Sequence, residues 1–142
     1  MPRGVWVMDP HSGGNKIPEA VKRDTVTRVE RHAAAKYAGL YSRIDIRFRG
    51  ALCYIDAYVE PDEPSKELLD IRGETREQFV ERMRAFPLHL CRLRYFSTDQ
   101  WSLAFYTYSQ ERYEPSFFDN GTFFGTPEEG LDVGAVYLQG RQ

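Results

Sequence analysis

The chain has 142 residues, enough for one domain around one hydrophobic core, and its 42% hydrophobic and 28% charged residues are an ordinary globular mix. Its net charge of −2 excludes a global field that steers the molecule to nucleic acid or membrane, and no run approaches the ~20 apolar residues of a membrane span. The two cysteines, Cys53 and Cys91, form no CxxC pair, which removes zinc-ribbon and thioredoxin-like readings.

Both cysteines sit in apolar runs and are expected to be buried free thiols. The start, "MPRGVWVMDP", holds too short an apolar run for a signal peptide, so the expected location is cytoplasmic. Charge is unevenly spread. Residues 1–50 carry ten Lys/Arg against five Asp/Glu, and residues 51–142 carry nine against sixteen. Within one domain the two halves are expected to neutralise each other.

Residues 1–15, with "HSGGN", read as a flexible segment, and residues 16–142 as a single domain. A helix is predicted next. Ile17, Val21, Thr25, Val29, Ala33 and Tyr37 recur every four residues, Pro18 suits the first turn and Gly39 a left-handed stop. "RIDIRFRGALCYIDAY" then alternates as a hairpin. With Gly50 and Ala51 as a two-residue type II′ turn, Arg49 faces Leu52, Arg47 faces Tyr54, Asp45 faces Asp56 and Arg43 faces Tyr58. The opposite face, Ile44, Ile46, Phe48, Cys53, Ile55 and Ala57, is wholly apolar and must meet the core under helix one.

The acidic, proline-bearing stretch around Asp62, Glu63 and Glu67 reads as a long surface connection. Thr75 and Gln78 form a capping box that starts a second helix, with Phe79, Val80, Met83 and Phe86 as its buried stripe and Pro87 as its end. "LHLCRLRYF" and "WSLAFYTYS" make a second hairpin around "STDQ", with Arg92 and Arg94 on one face. "YEPSFF" and "TFF" flank the turn "DNG". Thr126, Pro127 and Glu129 cap a short last helix, which Gly130 and Gly134 weaken. The predicted fold class is α+β. About five antiparallel strands from residues 40–60 and 88–125 carry the N-terminal helix on their apolar face, with a second helix between hairpins and a short C-terminal helix.

"RFRGALCYIDAY", "ETREQFVERMRAFPLHLCRLRYF" and "GTFFGTPEEGLDVGAVYL" resemble stretches of an uncharacterised family of bacterial hypothetical proteins. The resemblance implies a bacterial, cytoplasmic origin and carries no activity, cofactor or catalytic residue.

Three sets of residues carry chemistry. Asp45 and Asp56 lie opposite in the predicted register, close enough to share a proton, hold a metal or be neutralised by flanking Arg43 and Arg47. The nearby arginines favour a charge ladder and no metal is expected. His11, His32 and His89 share no ligand spacing, and no nucleophile motif or phosphate loop is present, "SGGNK" lacking the spacing of one. The third set is Arg47, Arg49, Tyr54, Tyr58, Arg92 and Arg94 on one sheet face. Arginine grips phosphate and tyrosine gives a base a ring to stack on. The expectation is a small non-enzymatic binding domain, without cofactor, that contacts single-stranded nucleic acid or a protein partner through this face. A homodimer, whose interface also enriches Arg and Tyr, is expected as well. The alternatives are a metal-dependent hydrolase or nuclease using Asp45 and Asp56, and an adaptor that meets a basic protein through Asp62–Glu67.

Overall fold

The computed structural model describes residues 9–139. In chain order these form α1 (Glu19–Lys36), β1 (Arg43–Arg49), β2 (Leu52–Tyr58), α2 (Lys66–Arg72), α3 (Arg76–Ala85), β3 (Leu88–Ser97), β4 (Gln100–Thr107), β5 (Arg112–Ser116), α4 (Pro127–Gly134) and a last single turn, α5 (Val136–Gln139). The strands make one antiparallel sheet in the order β1-β2-β3-β4-β5. The fold is α+β, with the N-terminal helix on the apolar side of the sheet, as the sequence predicts.

The first hairpin pairs in the predicted register throughout. Gly50 has φ 60° while Ala51 keeps an ordinary negative φ, the pattern of a type II′ turn, whose twist matches that of the flanking strands. In α1, the stripe Ile17, Thr25, Val29, Ala33 and Tyr37 is buried, with Val21 partly so. Pro18 stands at the N-cap rather than inside the first turn, and its carbonyl accepts from the Lys22 N–H at 3.0 Å. The proline ring still fits, because its missing N–H lies outside the helical ladder.

The helix seated on the middle of the sheet is α4, not α1. A Cβ at Gly130 would meet Leu93 Cδ2 at 2.6 Å, and one at Gly134 would meet the Leu90 carbonyl oxygen at 2.6 Å. Real Cβ atoms do not approach so closely, so these two glycines, one turn apart, let the helix backbone rest on β3. Their low helix propensity is offset by this packing and by the Thr126–Glu129 capping box, which forms with Pro127 in the first turn. α1 lies beside α4 and over β1. Two polar junctions join the helices. Arg28 donates from Nε and Nη2 to both oxygens of Glu128, at 2.9 and 2.8 Å, and reaches Asp99 at 2.7 Å. Asp132 Oδ1 accepts from the Tyr37 hydroxyl at 2.5 Å and lies 2.8 Å from His32 Nε2 and 3.2 Å from Lys36 Nζ.

Several expectations need correcting. Ile55 is fully buried, and Ile44, Ile46 and Phe48 pack against the core as expected but are only partly buried, because β1 is an edge strand with a neighbour on one side. The acidic connection contains a helix, α2. The Ser65 side chain caps it by accepting from the Leu68 N–H at 3.1 Å, and Gly73 closes it at φ 66°. In α3 the capping box forms and Phe79 and Val80 are buried, yet Phe86 is 59% exposed. The helix has ended at Ala85, and the extended backbone of Phe86 takes its side chain off the stripe. "DNG" closes a local turn, but Thr122–Phe124 add no strand. Instead β5 pairs with β4 and carries Pro115, which an edge strand tolerates. The chain rejoins the sheet at Gly125, which exchanges backbone hydrogen bonds with Trp101 at 2.9 and 3.0 Å.

Of the segment expected to be flexible, residues 1–8 lie outside the described residues. The later part is bonded to β3. The Asn15 N–H donates to the Tyr95 carbonyl at 2.8 Å and its side-chain amide donates to the Phe96 carbonyl. Gly14 at φ 84° lies where a Cβ would be 2.7 Å from the Tyr95 oxygen.

Candidate functional site

α1 and α4 cover one face of the sheet. The other face is organised in rows that run across the strands, and each row follows from the pairing. One row is Arg49, Leu52, Arg94 and Ser102. The next is Arg47, Tyr54, Arg92, Ala104 and Pro115. A third is Asp45, Asp56 and His89, beside the facing pair Tyr106 and Tyr113. The predicted binding residues Arg47, Arg49, Tyr54, Arg92 and Arg94 therefore fall in two adjacent rows. Tyr58 does not join them. It lies at the far end of β2 beside Arg43, whose guanidinium sits 4.1 Å over its ring.

Asp45 and Asp56 face each other as predicted, and a cation joins them. Arg47 Nη2 donates to Asp56 at 2.9 Å, and its Nε lies 3.4 Å from Asp45. Burial pulls the Arg47 pKa down, but the hydrogen bond to Asp56 and the charges of Asp56 and Asp45 together outweigh it and hold the guanidinium above the ordinary arginine value. The second oxygen of Asp56 lies 3.0 Å from His89 Nδ1. A carboxylate only accepts, so Nδ1 carries the proton of that bond. Asp56 is 2% exposed, and both its oxygens are thereby satisfied, as a buried charge requires. Among the described residues no group of three or more His, Cys, Asp or Glu is arranged to hold a metal ion. The arrangement of this pair is that of a charge ladder bridged by Arg47.

His89 reaches the polar face through a register shift. Ile55 pairs with Cys91, but the next residue, Asp56, pairs with His89, so Leu90 is the extra residue of a β-bulge. Leu90 and Cys91 are both buried, and His89 is turned to the carboxylate. Tyrosines surround it. The rings of Tyr106, Tyr113 and Tyr108 lie 4.7, 6.3 and 6.5 Å from the imidazole, and the Tyr108 hydroxyl accepts from the His89 N–H at 2.7 Å. The Tyr113 hydroxyl is buried without a hydrogen-bond partner among the described residues. Burial first, and the charge of Asp56 second, push its pKa well above the usual phenol range. This tyrosine group was missed by sequence reasoning. Extending the β3–β4 register beyond Arg92 would have placed Ser102, Ala104 and Tyr106 on this face. Tyr113 needed β5, which the proline disguised.

The arginines differ in how fully they are neutralised. Arg47 is committed to the two aspartates. Arg49, Arg92 and Arg94 have no carboxylate within ion-pair distance among the described residues. Arg92 lies 5.1 Å over the Tyr113 ring, and Arg94 Nη1 donates to the Gly13 carbonyl at 3.0 Å. Burial and the neighbouring Arg92 hold Arg94 below the ordinary arginine value. Arg47 in turn lies 5.0 Å over the ring of Tyr54, whose edge meets Tyr113. Two depressions mark the surface here. One is lined by Arg47, Phe48, Arg49 and Tyr54, and the other by Arg92, Arg94, Ser102, Pro115 and His11, among others.

The cysteines take no part. Both are free and buried on the helix-covered side, where burial pushes the Cys53 thiol up to about 12 and Cys91 well above its usual value. His32 belongs to the junction between α1 and α4, and no helix among the described residues is long and apolar enough to cross a membrane. Set against protein-family models, curated proteins and solved structures, the chain matches none.

Proposed function

We propose that the open sheet face binds single-stranded nucleic acid, with Arg49, Arg92 and Arg94 engaging phosphates and the stacked pair of Arg47 and Tyr54 offering a platform for a base. The observation that carries this reading is three arginines in adjacent rows of one sheet face with no carboxylate partner among the described residues. Arginines that merely balance the acidic half of the chain pair with it, as Arg28, Arg76 and Arg84 do with Glu128, Glu63 and Glu60. Uncommitted guanidiniums beside aromatic rings are the elements with which single strands are gripped. The reading accords with a cytoplasmic, non-enzymatic domain of bacterial origin. It does not need the Asp45–Asp56 pair, which Arg47 bridges and whose second Asp56 oxygen meets His89.

Fluorescence anisotropy with short labelled RNA and DNA strands across a salt series tests it. Affinity should fall as salt rises, and each of Arg49→Ala, Arg92→Ala and Arg94→Ala should flatten the salt slope by roughly one unit. Tyr54→Ala should weaken binding by about 1–3 kcal/mol and leave the slope unchanged, because stacking releases few ions. Arg31→Ala, on the exposed side of α1, serves as the control. Absence of binding at low salt defeats the proposal. Light scattering in the same buffers reads the competing use of the face: a dimer broken by Arg92→Ala would assign it to a second copy of the chain.

A further inference from the structure

The cleft between β3 and β4 has a more specific chemistry than the rest of the face. Arg92 and Arg94 project from β3 two residues apart, so their guanidiniums share one side of the sheet. Opposite Arg94 on β4 is Ser102, which is 2% exposed and whose hydroxyl has no hydrogen-bond partner among the described residues. Ala104 and Pro115 add small, apolar walls, and His11 of the leading segment completes the lining. The whole cleft, open mouth included, measures about 250 Å³.

The leading segment holds one wall in place. The Gly13 carbonyl accepts from Arg94, and Asn15 is bonded to the Tyr95 and Phe96 carbonyls. The acid nearest in sequence to this wall, Asp9, is turned into its own loop. Its oxygens accept from the His11 N–H at 2.8 Å and the Ser12 hydroxyl at 2.9 Å, and it makes no ion pair with Arg94. Arg92, over the Tyr113 ring, and Arg94, on the Gly13 carbonyl, are thus partly buried like charges lining one cleft; the charge of Asp9 acts on Arg94, but among the described residues no carboxylate pairs with either. That arrangement costs free energy in the empty molecule, and a bound anion would relieve it.

We infer that this cleft binds a phosphomonoester, with Arg92 and Arg94 on its oxygens and the Ser102 hydroxyl as a neutral donor. A phosphomonoester carries about −1.5 to −2 at neutral pH, against −1 for the diester of a chain interior, and so matches two guanidiniums. The cleft is small, which suits one tetrahedral group better than a continuing backbone. On the reading of the sheet face given above, from which this inference follows, the group is the 5′-terminal phosphate of the strand. A free phosphate has the same chemistry, so the test separates the two sources.

Two measurements on the full chain decide it. In the first, inorganic phosphate is titrated against the protein at constant ionic strength and melting is followed. A ligand specific to the folded state raises the melting temperature with concentration, and Arg92→Ala and Ser102→Ala should each reduce that rise. In the second, 5′-phosphorylated and 5′-hydroxyl strands of one sequence compete for the protein. The phosphorylated strand should bind about tenfold or more tightly, the return expected from charge-assisted hydrogen bonds, and Ser102→Ala should reduce the preference. A phosphate-dependent rise without strand binding keeps the cleft as a phosphate site and removes the nucleic-acid reading. Strands that bind equally with and without the phosphate, together with melting indifferent to inorganic phosphate, overturn the inference while leaving that reading intact.

Discussion

On the helix-covered face of the sheet, Cys53, Ile55, Cys91, Leu93 and Leu103 are sealed from solvent. On the open face Leu52, Tyr54, Arg92 and Arg94, which alternate with them along β2 and β3, stay partly exposed. The same strands thus serve two solvents. On the first face stability comes from volume filled to contact, and a missing or added carbon is felt at once. On the second, Arg47 joins Asp56 and His89, and the arginines beyond them have no carboxylate within ion-pair distance among the described residues. The covered face is filled by apolar side chains, whereas the open face buries Asp56, Ser102 and Ala104 and leaves its arginines in contact with solvent.

The sharpest way to break this comparison is to alter neighbouring residues that point to opposite faces. Leu93→Ala removes a fully buried side chain that touches α4 and should cost about 2–5 kcal/mol in urea unfolding. Arg92→Ala, one residue away, should stay within about 0.5 kcal/mol, as surface changes do. Equal costs would mean that the open face is packed after all. Ile46→Ala, on the edge strand, should fall short of Leu93→Ala, because that side chain is already partly exposed.

A smaller effect is expected from adding a carbon instead of removing several. Gly134→Ala places a Cβ 2.6 Å from a backbone oxygen of β3, which cannot swing away as a side-chain tip would. Despite the better helix propensity of alanine, the change should destabilise by about 1–3 kcal/mol, the usual cost of overpacking. A more stable Gly134→Ala variant would show that α4 does not sit this close.

The smallest effect concerns the polar junction between the helices. Burial raises the Asp132 carboxyl, but the hydrogen bonds from Tyr37, His32 and Lys36 outweigh it and hold the group below its ordinary value of 3.8. A carboxyl depressed in the folded state contributes stability that is present above its unfolded pKa and lost as pH falls through the folded one. Urea midpoints measured from neutrality down should therefore decline below about pH 4, and Asp132→Asn should make that decline shallower. An unchanged acid limb would show that the junction adds nothing to stability.

Much of the architecture was legible because it rests on short-range rules. The alternation of residues 43–58, with a glycine where a type II′ turn needs one, leaves a single register that keeps the apolar side together. The stripe of α1 and the boxes Thr75–Gln78 and Thr126–Glu129 are likewise local statements, and each forms. The same reasoning placed Arg47, Arg49, Tyr54, Arg92 and Arg94 on one face. It could not separate Tyr58 from them, because distance along a strand matters as much as the side it faces.

What the amino-acid sequence determined alone is thus the set of helices and hairpins that a period of two or 3.6 and a cap can announce, and the side of each on which its polar residues lie. Tertiary structure decided the rest. The seat of α4 depends on Gly130 and Gly134 meeting Leu93 and Leu90, residues far away in the chain, and read alone those glycines argue only for a weak helix. The bulge at Leu90 turns His89 to Asp56, and it arises where β3 must satisfy β2 on one edge and α4 on one face. The Tyr113 ring reaches the site because Pro115 stands on an edge where its missing N–H costs no ladder bond. The physical reason is common to all three. Local patterns record what a residue prefers beside its chain neighbours, whereas a close approach, a bulge or an edge exists only once two distant segments have met.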